Sequence, residues 1–191
     1  KEGGYELAEQ AANEMIKAFP ETDYALQSRL YLSEEAIKKR DYKTALKHLN
    51  LIREVFATQY EAAVALSMLG RIYLDEKKYA QADECFRNIL GVKEWKGRLW
   101  PEALYGRAEV AKGLGKNDEA CAFYERIYVL YSNYKDWTVK AYLGRADVLV
   151  RLREYKKAAE TLEDMLSKPE FASLPEAAEA QKQLETIKKK L

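Results

Sequence analysis

The chain has 191 residues, with 32 Lys+Arg against 31 Asp+Glu and a formal net charge of +1. Ala (26) and Leu (23) dominate while the β-branched Val (8) and Thr (6) are scarce, a balance that favours helix over sheet. The interspersed charge excludes a basic nucleic-acid footprint, and no apolar run approaches the roughly 20 residues of a membrane helix.

Internal self-similarity organises the rest. Residues 5–19 form a helical segment carrying Ala8, Ala12 and Met15 at i, i+4 and i+7, which is one helix face. Segment 24–39 is a second apolar-periodic helix that breaks at Arg40–Asp41, after which Tyr42 opens a helix with Ala45, Leu49 and Ile52. Segment 60–75 breaks at Lys77–Lys78 and is followed by Tyr79, Ala82, Phe86 and Ile89. Segment 101–114 breaks at Gly113–Gly115, and Asn117 replaces the tyrosine ahead of Ala120, Tyr124 and Ile127. Segment 136–152 breaks at Arg153–Glu154 and is followed by Tyr155, Ala158, Leu162 and Met165. The alanines recur at spacings of 37, 37, 38 and 38 residues. The unit is therefore a helical hairpin that buries its apolar face only by stacking on its neighbours. A last helix opens at Leu174-Pro175-Glu176 and closes on Lys188, Lys189 and Lys190, which match the two ends of the helix dipole.

Gly70, Gly106 and Gly144 fall inside first helices of hairpins, where each costs about 1 kcal/mol relative to Ala, so close helix–helix approach is expected there. Cys85 and Cys121 have no CxxC partner and sit among apolar neighbours, as inert thiols would; a disulfide needs Cα atoms within about 7 Å. His48 is the only histidine, so no metal site is expected, and it reads as a surface or half-buried residue. Catalysis and cofactors are not expected either: there is no nucleophile motif and no Gly-rich phosphate loop. Glu34 and Glu35 diverge by about 100° on a helix and cannot form an acid–base pair.

The pattern resembles the tetratricopeptide repeat (TPR) family along nearly the whole chain. The family's turn of Gly or Asp, Tyr and, three residues on, Ala stands as Gly4-Tyr5…Ala8, Asp41-Tyr42…Ala45, Lys78-Tyr79…Ala82 and Glu154-Tyr155…Ala158. Its Leu-Gly…Tyr signature stands as Leu69-Gly70…Tyr73, and its second-helix proline only as Pro20. The longer period and Asn117 are departures. The resemblance implies an all-α, right-handed superhelical solenoid of stacked antiparallel helix pairs. About four repeats (21–57, 58–95, 96–133 and 134–170) lie between a leading half-repeat (1–20) and a capping helix (171–191). The register puts Gly3-Gly4-Tyr5 at a turn, which implies a longer parent protein; alternatively, residues 5–19 are a lone capping helix. Phe19-Pro20-Glu21-Thr22-Asp23-Tyr24-Ala25 is similar to a joint in bacterial envelope TPR proteins, a lean toward a bacterial source that leaves periplasm or cytoplasm open.

The resemblance also implies a concave groove lined by the first helices, which would take a peptide or helix of another protein without catalysis. Nucleic acid and direct membrane insertion are not expected. The groove stripe comprises Gln27, Tyr31, Glu34 and Lys38; Ser67, Met68, Arg71 and Asp75; Glu102, Tyr105, Glu109 and Lys112; and Lys140, Leu143, Asp147 and Arg151. Tyr31, Met68 and Tyr105 serve either a ligand or packing between repeats. Trp95, amid Lys93, Glu94 and Lys96 on a long connection, is expected as a secondary contact, whereas Tyr24, Trp100 and Trp137 staple the starts of first helices. The alternative function is a structural spacer or self-associating scaffold of a larger envelope protein.

Overall fold

The computed structural model describes residues 2–191, with side chains from residue 7 on, and Gly3-Gly4-Tyr5, expected at a turn, lies within the helix that starts at Glu2. The helices in chain order are α1 (Glu2–Ala18), α2 (Asp23–Lys38), α3 (Tyr42–Val55), α4 (Tyr60–Asp75), α5 (Tyr79–Gly91), α6 (Leu99–Gly113), α7 (Asn117–Leu130), α8 (Lys135–Arg151), α9 (Tyr155–Leu166) and α10 (Pro175–Lys188). Single 3-10 turns occupy Lys93–Trp95 and Pro169–Phe171, and no strand occurs among the described residues. The fold is all-helical, with consecutive helices paired as in TPR repeats.

One turn recurs in every hairpin. Arg40, Lys77, Gly115 and Arg153 adopt φ of 59°, 57°, 74° and 61°. The next residue's N–H then reaches back to close the helix: Asp41 to the Ala36 carbonyl (2.8 Å), Lys78 to Tyr73 (2.8 Å), Lys116 to Ala111 (2.9 Å) and Glu154 to Leu149 (2.9 Å). The turn residue itself donates to the carbonyl three back, so the carbonyls left over at the helix end are satisfied. A left-handed residue lets the chain reverse within three residues, which sets the two helices side by side.

The chain divides into two compact units, Lys1–Trp95 and Lys96–Leu191. In the first, α1 packs on α2, α2 on α3, α3 on α4 and α4 on α5, and the first helices α2 and α4 also touch. Ala45, Leu49, Ile52, Ala82, Phe86 and Ile89 are buried there. In the second, α6 to α10 pack in succession, with α6 against α8 and α8 against α10. Its core gathers Tyr142, Leu162, Met165, Phe171 and Leu184. Because α10 touches both α8 and α9, it takes the place of a first helix, and Glu179, Lys182 and Glu185 on its outer side are exposed.

Three expectations are corrected. Tyr24 is 71% exposed and staples nothing; the start of α2 is capped instead by Thr22, whose hydroxyl accepts from the Ala25 N–H. His48 is buried rather than on the surface, because it lies on the same side of α3 as Ala45 and Ile52. Trp95 is 8% exposed within its 3-10 turn, so it gives a partner little surface.

Candidate functional site

In the first unit, α2 and α4 turn their remaining open faces outward. On α4 the positions Glu61, Val64, Met68, Arg71 and Asp75 are half-buried or exposed, while Ala62, Ala63, Ala65, Leu66, Leu69 and Ile72 between them are buried. Arg71 and Glu34 stand in solvent, as does Gln27. Tyr31 and Met68 are half-buried, and Ser67, expected on the open stripe, is buried. The Tyr42 hydroxyl donates to Asp75 Oδ2 at 2.7 Å, tying the turn of one hairpin to the end of the next first helix. That bond and the carboxylate charge hold the Tyr42 hydroxyl above its ordinary pKa.

In the second unit, α6 and α8 carry a connected network. Glu109 accepts from the Tyr124 hydroxyl and from Lys112 (2.8 Å), and Tyr105 bonds it as well. Asp147 pairs with Arg151 at 3.0 Å and faces Lys112 at 3.9 Å. Burial first, and the Glu109 charge second, push the Tyr105 and Tyr124 hydroxyls well above their ordinary pKa. The Tyr105 ring packs 5.5 Å from both Tyr124 and Trp137, and Lys140 lies over Trp137 at 4.5 Å. Leu143 is half-buried against the core, and Glu102 is half-buried on α6. Glu109 was expected as an open groove residue, but its carboxylate is spent on internal partners. Lys140 and Arg151 are the exposed members of the stripe.

No group of three or more His, Cys, Asp or Glu among the described residues is placed to hold a metal ion. Cys85 and Cys121 are free; burial pushes the Cys85 thiol up to about 11, which keeps it protonated and unreactive.

The sequence profile of the tetratricopeptide repeat-like domain matches residues 1–128. The chain belongs to that family. Tetratricopeptide repeat-like domains are protein-interaction repeats and are typically non-catalytic. No curated protein matches the chain. The TPR match ends within α7, yet the α8–α9 hairpin beyond it closes with the same turn geometry. No described helix is long and apolar enough to cross a membrane.

One polar residue with structural consequences, the buried Arg29, escaped the sequence reading. Alignment of the hairpins on their turns was the signal that could have found Arg29, since it falls where other hairpins carry Leu66 and Leu104.

Proposed function

We propose that the chain is a non-enzymatic TPR interaction module whose first-helix faces bind an extended peptide or a helix of another protein. The observation that supports this is an open stripe on α2 and α4 in the first unit and another on α6 and α8 in the second, each bounded on its helix by buried positions. Exposed charge beside half-buried Tyr31, Met68, Tyr105 and Leu143 suits protein recognition, in which aromatic and Met side chains are enriched at contact cores. The four equivalent turns support repeats over 21–57, 58–95, 96–133 and 134–170.

Affinity capture with the wild-type chain and with an Arg71→Glu/Lys140→Glu/Leu143→Ser variant tests the reading. The variant spares Glu109 and Asp147, whose internal partners would confound it. A protein retained by wild type and lost by the folded variant supports the module. Equal retention by both removes these faces from the account.

A further inference from the structure

In the second unit α6 packs on both α7 and α8, and two contacts fasten its start to that of α8. Arg98, just ahead of α6, donates from Nη1 and Nη2 to the two carboxylate oxygens of Asp136, at 3.2 and 2.5 Å. Seven residues on, about two helical turns, the Tyr105 ring lies 5.5 Å from that of Trp137. Thus α8 holds the first helix before it with an acid and an adjacent aromatic, and α6 answers with an arginine and a tyrosine.

Aligned on the left-handed turn residues Arg40 and Arg153, Asp23-Tyr24 at the start of α2 takes the place of Asp136-Trp137 at the start of α8. The same two side-chain types recur there, unused. Asp23 is exposed and makes no hydrogen bond or ion pair among the described residues. Tyr24 is 71% exposed and packs on no other ring among them. On the neighbouring helix, Ala8, Met15 and Phe19 of α1 take the places of Ala120, Ile127 and Tyr131 of α7. The α7 residues are all at most 9% exposed, whereas Ala8 is exposed, Met15 is half-buried and Phe19 is 55% exposed. So α1 and α2 together offer the face that α7 and α8 offer to α6.

We propose that the α1–α2 face is a docking site for one amphipathic helix of a partner protein, which seats as α6 does on α7 and α8. That helix carries an arginine for Asp23 and, seven residues on, an aromatic for Tyr24. A guanidinium fork matches the unpaired carboxylate, and a ring over Tyr24 supplies the apolar anchor. Apolar side chains between them cover Met15 and Phe19. A second copy of the chain offers no free helix of this kind. The places of Arg98 and Tyr105 hold Tyr60 and Ser67 on α4 and Leu174 and Gln181 on α10, and α6 is already seated.

The test follows the fluorescence anisotropy of a labelled synthetic peptide with the sequence of residues 98–113 as the full chain is added. Saturable binding to the wild-type chain is expected. Asp23→Arg and Tyr24→Ala in the chain each weaken it by about fivefold or more, and Arg98→Asp in the peptide does the same. The Asp23→Arg chain with the Arg98→Asp peptide regains the lost affinity, which a merely structural effect of either change would not give. Both chain positions are exposed, so the variants keep wild-type helicity by circular dichroism. Arg71→Glu leaves peptide binding unchanged, which separates this face from the first-helix stripe. No saturable binding to wild type, or undiminished binding to both chain variants, overturns the proposal. Self-association of the chain alone that Tyr24→Ala abolishes gives the face to a second copy and overturns the partner assignment.

Discussion

A Cβ added to Gly70 on α4 would lie 2.6 Å from Cζ of Phe86 on α5, inside the contact distance of any real pair of carbons. Gly144 on α8 stands in the same relation to Tyr124 on α7, again at 2.6 Å. Each glycine makes room for the ring that fills the space between neighbouring helices. Both rings are buried, so neither can swing away cheaply.

Gly70→Ala is therefore expected to destabilise the chain by about 1–2 kcal/mol in urea unfolding, overpacking outweighing the helix-propensity gain of about 1 kcal/mol. Gly91→Ala is the control, because nothing lies within 4 Å of its added Cβ. A Gly70→Ala protein as stable as wild type would refute the close-approach reading.

The left-handed turn residues make an opposite prediction. Arg40, Lys77 and Arg153 hold positive φ with a side chain, whereas Gly115 does so without that cost. Lys77→Gly is expected to raise stability by about 0.5–1 kcal/mol, and Gly115→Ala to lower it by about 1 kcal/mol. Thermal melts of the two variants check the signs, which must differ.

The second-unit network separates structural from available carboxylates. Tyr124→Phe removes a hydrogen bond to the charged Glu109 and should cost about 1.5–3 kcal/mol, since the carboxylate is partly enclosed. Glu34→Gln, on an exposed residue, should stay within about 0.5 kcal/mol of wild type. Equal effects in denaturant unfolding would contradict the assignment.

His48 gives a pH dependence whose sign is fixed. Burial, then Arg29 and Lys47, lower its folded pKa from the ordinary 6.5. The unfolded ring therefore takes up a proton before the folded ring does as pH falls. Stability from this group is complete above about 6.5, is lost below it, and levels off under the folded value. His48→Thr, the residue at the equivalent Thr161, should flatten the wild-type difference in unfolding free energy between pH 7.5 and 5.5. An unchanged slope would contradict it.

Much of this architecture is legible in the chain. The apolar segments at 24–39, 60–75, 101–114 and 136–152 overlie α2, α4, α6 and α8 to within two residues at each end. Turn chemistry marks each reversal, although Arg40, Lys77 and Arg153 give no composition signal for a left-handed backbone. Charge, by contrast, misleads about location. Arg29 draws no notice because hydropathy cannot register a cation held where other hairpins carry Leu66 and Leu104, and His48 reads as surface or half-buried yet is buried. Glu109 reads as an open groove charge because its tyrosine partner Tyr124 is 15 residues away on the next helix. Trp95 reads as a loop residue, since a single 3-10 turn carries too few positions for a periodicity.

The central claim, that the first-helix faces receive a protein partner, is tested most directly by site-specific photo-cross-linking. A photoreactive residue is placed at Arg71 or Lys140 on the first helices, and at Asn88 or Glu160, which are exposed on the second helices α5 and α9. The account predicts cross-linked partner protein from positions 71 and 140 and none above background from 88 and 160. Cross-links confined to 88 and 160, or equal from all four positions, would contradict it.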